Sequence, residues 1–141
     1  MIASISNWIK KSSLKSKLFA FLNEMEKNLE VFYVMDQRQF ITQGFHNQQW
    51  GLVNEIDFIK KNEAIRVYIG AIEDFNKTLS EFKKYEQWYA GDVKNKNQEN
   101  AKKLHADKHV LDKKLKAMEA VIIPAGQELE REMLKLGFIR Q

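Results

Sequence analysis

The chain reads as all-α: an antiparallel bundle of four long helices, the last kinked at Pro124, with a short extra helix at the N-terminus. Three observations predict this. Apolar residues recur at steps of three and four over long stretches. One proline and six glycines in 141 residues leave few turn signals. No stretch alternates apolar and polar residues long enough for a strand. Hydrophobic residues make up 44% and charged residues 30%, the balance of one globular domain with its own core, so residues 1–141 are read as a single domain.

Met1 to Lys11 is read as a short helix of its own, with Ile2, Ile5, Trp8 and Ile9 on one face and Lys10 and Lys11 following. A basic amphipathic segment suits an anionic membrane or a partner. The plainer reading, a terminal strap anchored by Trp8, is preferred because surface-binding helices are usually longer and more cationic. Ser12 and Ser13 are candidate N-caps for the next helix. That helix carries Leu14, Leu18, Phe21, Leu22, Met25, Leu29, Phe32 and Phe40 at helical period. Asn28, Asp36 and Arg38 interrupt or flank its apolar face, and Gly44 is read as its stop.

A second helix is expected from Asn47 to Lys61, its buried side marked by Trp50, Val53, Ile56 and Ile59. The apolar stripe shifts phase between Ile59 and Ile65, which places a tight break near Asn62. The longest stripe follows: Ile65, Tyr68, Ile69, Ile72, Phe75, Leu79, Phe82, Tyr85, Trp88 and Tyr89, ending at Gly91. Residues 91–100 are polar and read as the clearest loop. The last helix is expected over Ala101 to Leu136, lined by Leu104, Leu111, Leu115, Met118, Ile122, Leu129 and Met133. Pro124 lacks an N–H and clashes with the preceding turn, so the kink is expected there, and Gly137 supplies the stop.

Charge is unevenly spread. Residues 1–17 hold Lys10, Lys11, Lys15 and Lys17 and no acid, while residues 18–93 are net acidic. Residues 94–116 are strongly basic, with a lysine cluster of Lys94, Lys96, Lys102, Lys103, Lys108, Lys113, Lys114 and Lys116. Such a cluster can neutralise phosphates. It contains no arginine, and a solvated lysine-rich helix face is the commoner meaning of such a run.

Several chemistries are disfavoured. There is no cysteine, so no disulfide, thiolate metal site or cysteine nucleophile is available. Gly-x-Ser-x-Gly, a phosphate-binding glycine loop and His-Glu-x-x-His are all missing. Nor is there an Arg-x-x-x-x-His pair, since Gln43 follows Arg38 and Ala71 follows Arg66 at that spacing. No apolar run reaches the roughly 18 residues of a membrane span, and no signal peptide is evident, so a cytoplasmic location is the default expectation.

The histidines are the sharpest candidate site. His105 and His109 are four apart with Asp112 three further on, which puts all three on one helix side, as a metal-binding face requires. If His46 meets that face, three imidazoles converge on a divalent metal. In these histidines and the helical plan alone the chain resembles the DinB-type bundles, in which one histidine of an earlier helix joins two spaced by four. That resemblance would imply a metal held by His46, His105 and His109; the surrounding residues reproduce no motif of the family. Glu-x-x-His pairs of the di-iron type are missing, because Gln43, Lys102 and Ala106 occupy the glutamate positions. Trp50, Tyr68, Tyr85, Trp88 and Tyr89 suit a ligand pocket or, more often, plain core.

The leading expectation is a non-enzymatic interaction or scaffold protein that forms homodimers by sharing an extended stripe, with no cofactor. A metal- or ligand-binding bundle is the alternative. An electrostatic binder of nucleic acid or anionic membrane is the third reading.

Overall fold

The computed structural model describes residues 2–91 and 98–139, with side chains described from residue 11 onward except at 52, 85, 87–91 and 98–101. Among the described residues the chain is helical and has no strand. The helices are α1 (Ile2–Arg38), α2 (Asp57–Lys61), α3 (Glu63–Gly91) and a bent last helix formed by α4 (Gln98–Lys116) and α5 (Glu119–Lys135), with a 3-10 turn at Trp50–Asn54.

The first helix corrects the expected short N-terminal element. α1 runs unbroken from Ile2 to Arg38, through Ser12 and Ser13. Serine caps a helix only where the chain must start one; inside a helix it is mildly unfavourable, and neither proline nor glycine stands nearby to force a break. The proposed anchoring role of Trp8 falls on a side chain outside those described.

α1 also ends earlier than Gly44. Gln39 N–H donates to the Asp36 carbonyl at 3.2 Å and Phe40 N–H to the Met35 carbonyl at 3.2 Å, with Gln39 left-handed at φ 54°. This is a Schellman cap with glutamine where glycine is favoured. The last helix closes in the same way at the expected residue. Gly137 has φ 75°, its N–H donates to Leu134 O at 3.0 Å, and Phe138 N–H donates to Met133 O at 2.9 Å. Buried Phe138 and Met133 complete the motif with the usual apolar pair.

Residues 40–47 form an irregular strap, and the expected helix from Asn47 to Lys61 is instead a turn at 48–49, the 3-10 turn and five-residue α2. Gly51 and Asn54 weaken helix there, and Ile56 adopts an extended φ, ψ of −118°, 111°. The break before α3 is as the phase shift implies. Asn62 N–H closes α2 on Phe58 O at 2.9 Å, while its Oδ1 accepts Ile65 N–H at 3.1 Å and so caps α3.

The bend in the last helix lies at Ala117 and Met118, one to two turns before Pro124, which sits within α5. Met118 N–H donates to Leu115 O at 3.0 Å, a tighter bond than an α-turn makes. Met118 O then accepts both Val121 N–H and Ile122 N–H. Starting a new helical segment at Glu119 puts Pro124 in its second turn, where only the Ala120 carbonyl loses an N–H partner.

α5 packs on both α1 and α3, and α4 packs mainly on α3. One continuous core results: Leu18, Phe21, Met25, Phe32 and Met35 of α1; Ile65, Tyr68, Ile72, Phe75 and Leu79 of α3; Leu111 and Leu115 of α4; Ile122, Leu129 and Met133 of α5. The long stripe expected on α3 is therefore buried at those five positions. Ile69 and Phe82 pack partly against the core, and Tyr85, Trp88 and Tyr89 lie outside the described side chains.

Candidate functional site

The most organised polar cluster holds the strap between α1 and α3. The buried apolar stripe of α1 is interrupted by Glu24 and Asn28, one turn apart and both buried. Asn28 Oδ1 accepts His46 N–H at 2.6 Å, and its Nδ2 donates to His46 O at 2.9 Å and to the Tyr68 hydroxyl at 2.7 Å. Asn76 of α3 treats the preceding residue alike: Oδ1 accepts Phe45 N–H at 2.8 Å and Nδ2 donates to Phe45 O at 3.0 Å. Glu24 Oε2 accepts Gln49 N–H at 3.1 Å.

Two carboxamides thus satisfy both backbone groups of two consecutive residues, as a neighbouring strand would. The strap needs this because it buries Phe45, whose ring meets Phe75 edge-on at 5.0 Å between centroids. Gly44 serves the same contact. A Cβ there would stand 2.6 Å from Asn76 Oδ1, so only glycine lets the strap come this close. Burial pushes the Tyr68 hydroxyl well above the usual tyrosine range; the Glu24 charge adds to this and the Asn28 bond opposes it. Tyr68 stays neutral in the fold and its ring meets Phe21 edge-on. Both amides of the cluster are engaged with backbone and hold the strap in place.

The expected sites are distributed differently. His46 lies in the strap, held through its backbone, and its side chain is half-buried. His105 and His109 are exposed on α4. Among the described residues no three His, Cys, Asp or Glu side chains form a group able to hold a metal, so His46, His105 and His109 do not assemble into one. Lys94 and Lys96 lie outside the described residues. Lys102, Lys103, Lys108, Lys113 and Lys116 are exposed, and Lys103 pairs with Asp107 at 3.4 Å. Lys114 has a different job: its Nζ lies 2.7 Å from Asp74 Oδ2 and 2.9 Å from Thr78 Oγ1, tying α4 to α3. Asp36, Arg38 and Gln43 are exposed and take no part in the buried network. Of the aromatic group, Tyr68 is core and Trp50 is half-buried, with no hydrogen-bond partner for its Nε1 among the described residues.

In the sequence Asn28 reads only as an interruption of a stripe, and Asn76 does not stand out. The available signal was a pair of asparagines, each at a helix position otherwise due an apolar residue, where burial demands a partner.

No protein-family model, curated protein or solved structure matches the chain. Among the described residues no helix is long and apolar enough to cross a membrane.

Two surface features remain. Tyr33 and Val34 are exposed on α1, at 46% and 42%, with Phe40 just beyond it. Along α1, no residue from Lys11 to Lys17 is buried, whereas burial is dense from Leu18 onward.

Proposed function

We propose that this chain is a non-enzymatic helical interaction module, folded as an antiparallel bundle, that works by self-association. The antiparallel arrangement is supported by two pairs of neighbours. Lys114 reaches Asp74 and Thr78, whereas Pro124 and Glu128 line a groove with Glu63 and Val67, so the last helix descends as α3 rises. Likewise Asp112 and Lys116 line a groove with Asp36, whereas Ile122 and Gly126 line one with Leu22 and Met25.

The observation that supports self-association is the exposed outer side of α1, with Ser12, Lys15, Asn23, Glu26, Glu30 and Tyr33 all exposed. A helix of 37 residues spans roughly 55 Å, and over Lys11 to Lys17 its described ties to the rest of the fold are half-buried Leu14 against the core and the Lys17–Glu55 ion pair at 3.0 Å. A helical stretch with so little packing is marginal in water unless something more packs on it. A second copy supplies that packing without any further component, and two-fold dimers are the commonest result. Native mass spectrometry of the freshly purified, untagged protein tests this. A mass of twice 16.6 kDa is expected; a single 16.6 kDa species with a stoichiometric bound metal or small molecule would replace this reading with a ligand-binding one.

A second reading rests on α4, where Lys102, His105, His109, Lys113 and Lys116 follow one another at steps of three and four and are all exposed. The three lysines of this row suit an anionic polymer. Binding of a DNA duplex that falls steeply with salt would support it, and no binding at low salt would remove it.

A further inference from the structure

We infer that the self-association surface is the outer face of α1, paired antiparallel with the same face of a second copy; this rests on the self-association reading above. α1 is one unbroken helix, so its register is continuous from end to end. Positions 12, 15, 19, 23, 26, 30, 33 and 37 advance by threes and fours and form a single row. The row runs along the outer side of α1 and contains none of the core positions Leu18, Phe21, Met25 and Phe32. Its members are exposed, apart from half-buried Phe19, which packs against the core, and Glu26 borders the groove between α1 and α5.

The row is self-complementary about a point close to residue 21. A two-fold axis there places position 12 opposite 30, 15 opposite 26 and 19 opposite 23. In the sequence these are Ser12 with Glu30, Lys15 with Glu26 and Phe19 with Asn23. Lys11 borders the row one turn before Lys15 and faces the partner's Glu30 region. The basic first part of α1 therefore lies on the acidic second part of the other copy. Parallel pairing would instead set lysine against lysine and glutamate against glutamate, which is repulsive. The two-fold makes both halves of the interface equivalent.

Charge reversal tests this arrangement, because the substituted side chains are exposed and the fold is left intact, as circular dichroism checks. Lys11→Glu with Lys15→Glu, and separately Glu26→Lys with Glu30→Lys, should each weaken self-association about tenfold or more at low salt, since attraction becomes repulsion in both halves. Mixing the two variants should restore a heterodimer. In it one half pairs the reversed charges with each other and the other half is unaltered. A chain carrying all four reversals should also dimerise again. Sedimentation velocity reads each case. Loss of association without recovery in the mixture would overturn antiparallel pairing. An unmodified dimer indifferent to all reversals would overturn this surface while leaving self-association standing. A monomeric unmodified protein would remove both.

Discussion

Replacing Asn28 by alanine should be among the most destabilising single changes in this chain. The side chain is fully buried and makes three hydrogen bonds: two to the backbone of His46 and one to the Tyr68 hydroxyl. A hydrogen bond is worth about 1 kcal/mol net, but a buried group left without a partner costs about 1–3 kcal/mol. Alanine strands the His46 N–H, the His46 carbonyl and one side of Tyr68 together. His46 is only half-buried, so water recovers part of the loss there. The sum is about 3–4 kcal/mol, including a small void. Asn76→Ala is the internal reference. Its side chain is half-buried rather than fully buried and makes two bonds rather than three, and about 1–2 kcal/mol is expected. Denaturant unfolding at one fixed protein concentration measures both, with an unchanged slope required for the comparison. A loss for Asn28→Ala under about 1 kcal/mol, or one no larger than that of Asn76→Ala, would refute the view that this carboxamide fastens the strap.

Three further expectations follow from particular geometries. Gln39→Gly should stabilise by roughly 0.5–1 kcal/mol, because glutamine is held left-handed at φ 54°, while Gly137→Ala in the equivalent cap should destabilise by a similar amount; equal signs in thermal unfolding would contradict the cap assignment. Gly44→Ala should push Asn76 off Phe45, so its cost should largely vanish in an Asn76→Ala background, and a double-mutant cycle that is additive would show the close approach to be unimportant. Tyr68 ionises more readily in the unfolded chain than in the fold. Its contribution is complete below about pH 10 and declines above it by at most about 1.4 kcal/mol per pH unit, and Tyr68→Phe should lack that part of the alkaline slope.

What the sequence made legible was whatever depends on neighbours within a turn or two. Ile65, Tyr68, Ile72, Phe75 and Leu79 repeat at helical period because one face of α3 is buried along that length, and they are core. The stop at Gly137 and the joint at Asn62 are local chemistry, a left-handed glycine and a side-chain cap, and both are where the residues imply. The strap was not legible because the groups that hold it lie 18 and 31 residues away from their partners. Gly44 looked like a helix stop for the same reason: a glycine needed for a distant contact has the same letter as one needed for a turn. The position of the bend misled in another way. Pro124 forbids one hydrogen bond, and the chain accommodates it by restarting the helix at Glu119 rather than bending at the proline. The histidine spacing on α4 describes one helix face correctly, but spacing says nothing about where His46 sits, and the strap keeps His46 by its backbone.

Self-association through α1 is probed by sedimentation equilibrium of the unmodified protein across a concentration series from about 1 to 100 μM, a span in which a dimer of ordinary micromolar affinity dissociates. A reversible shift from 16.6 kDa toward twice that mass is expected. A constant 16.6 kDa across the whole series would contradict it.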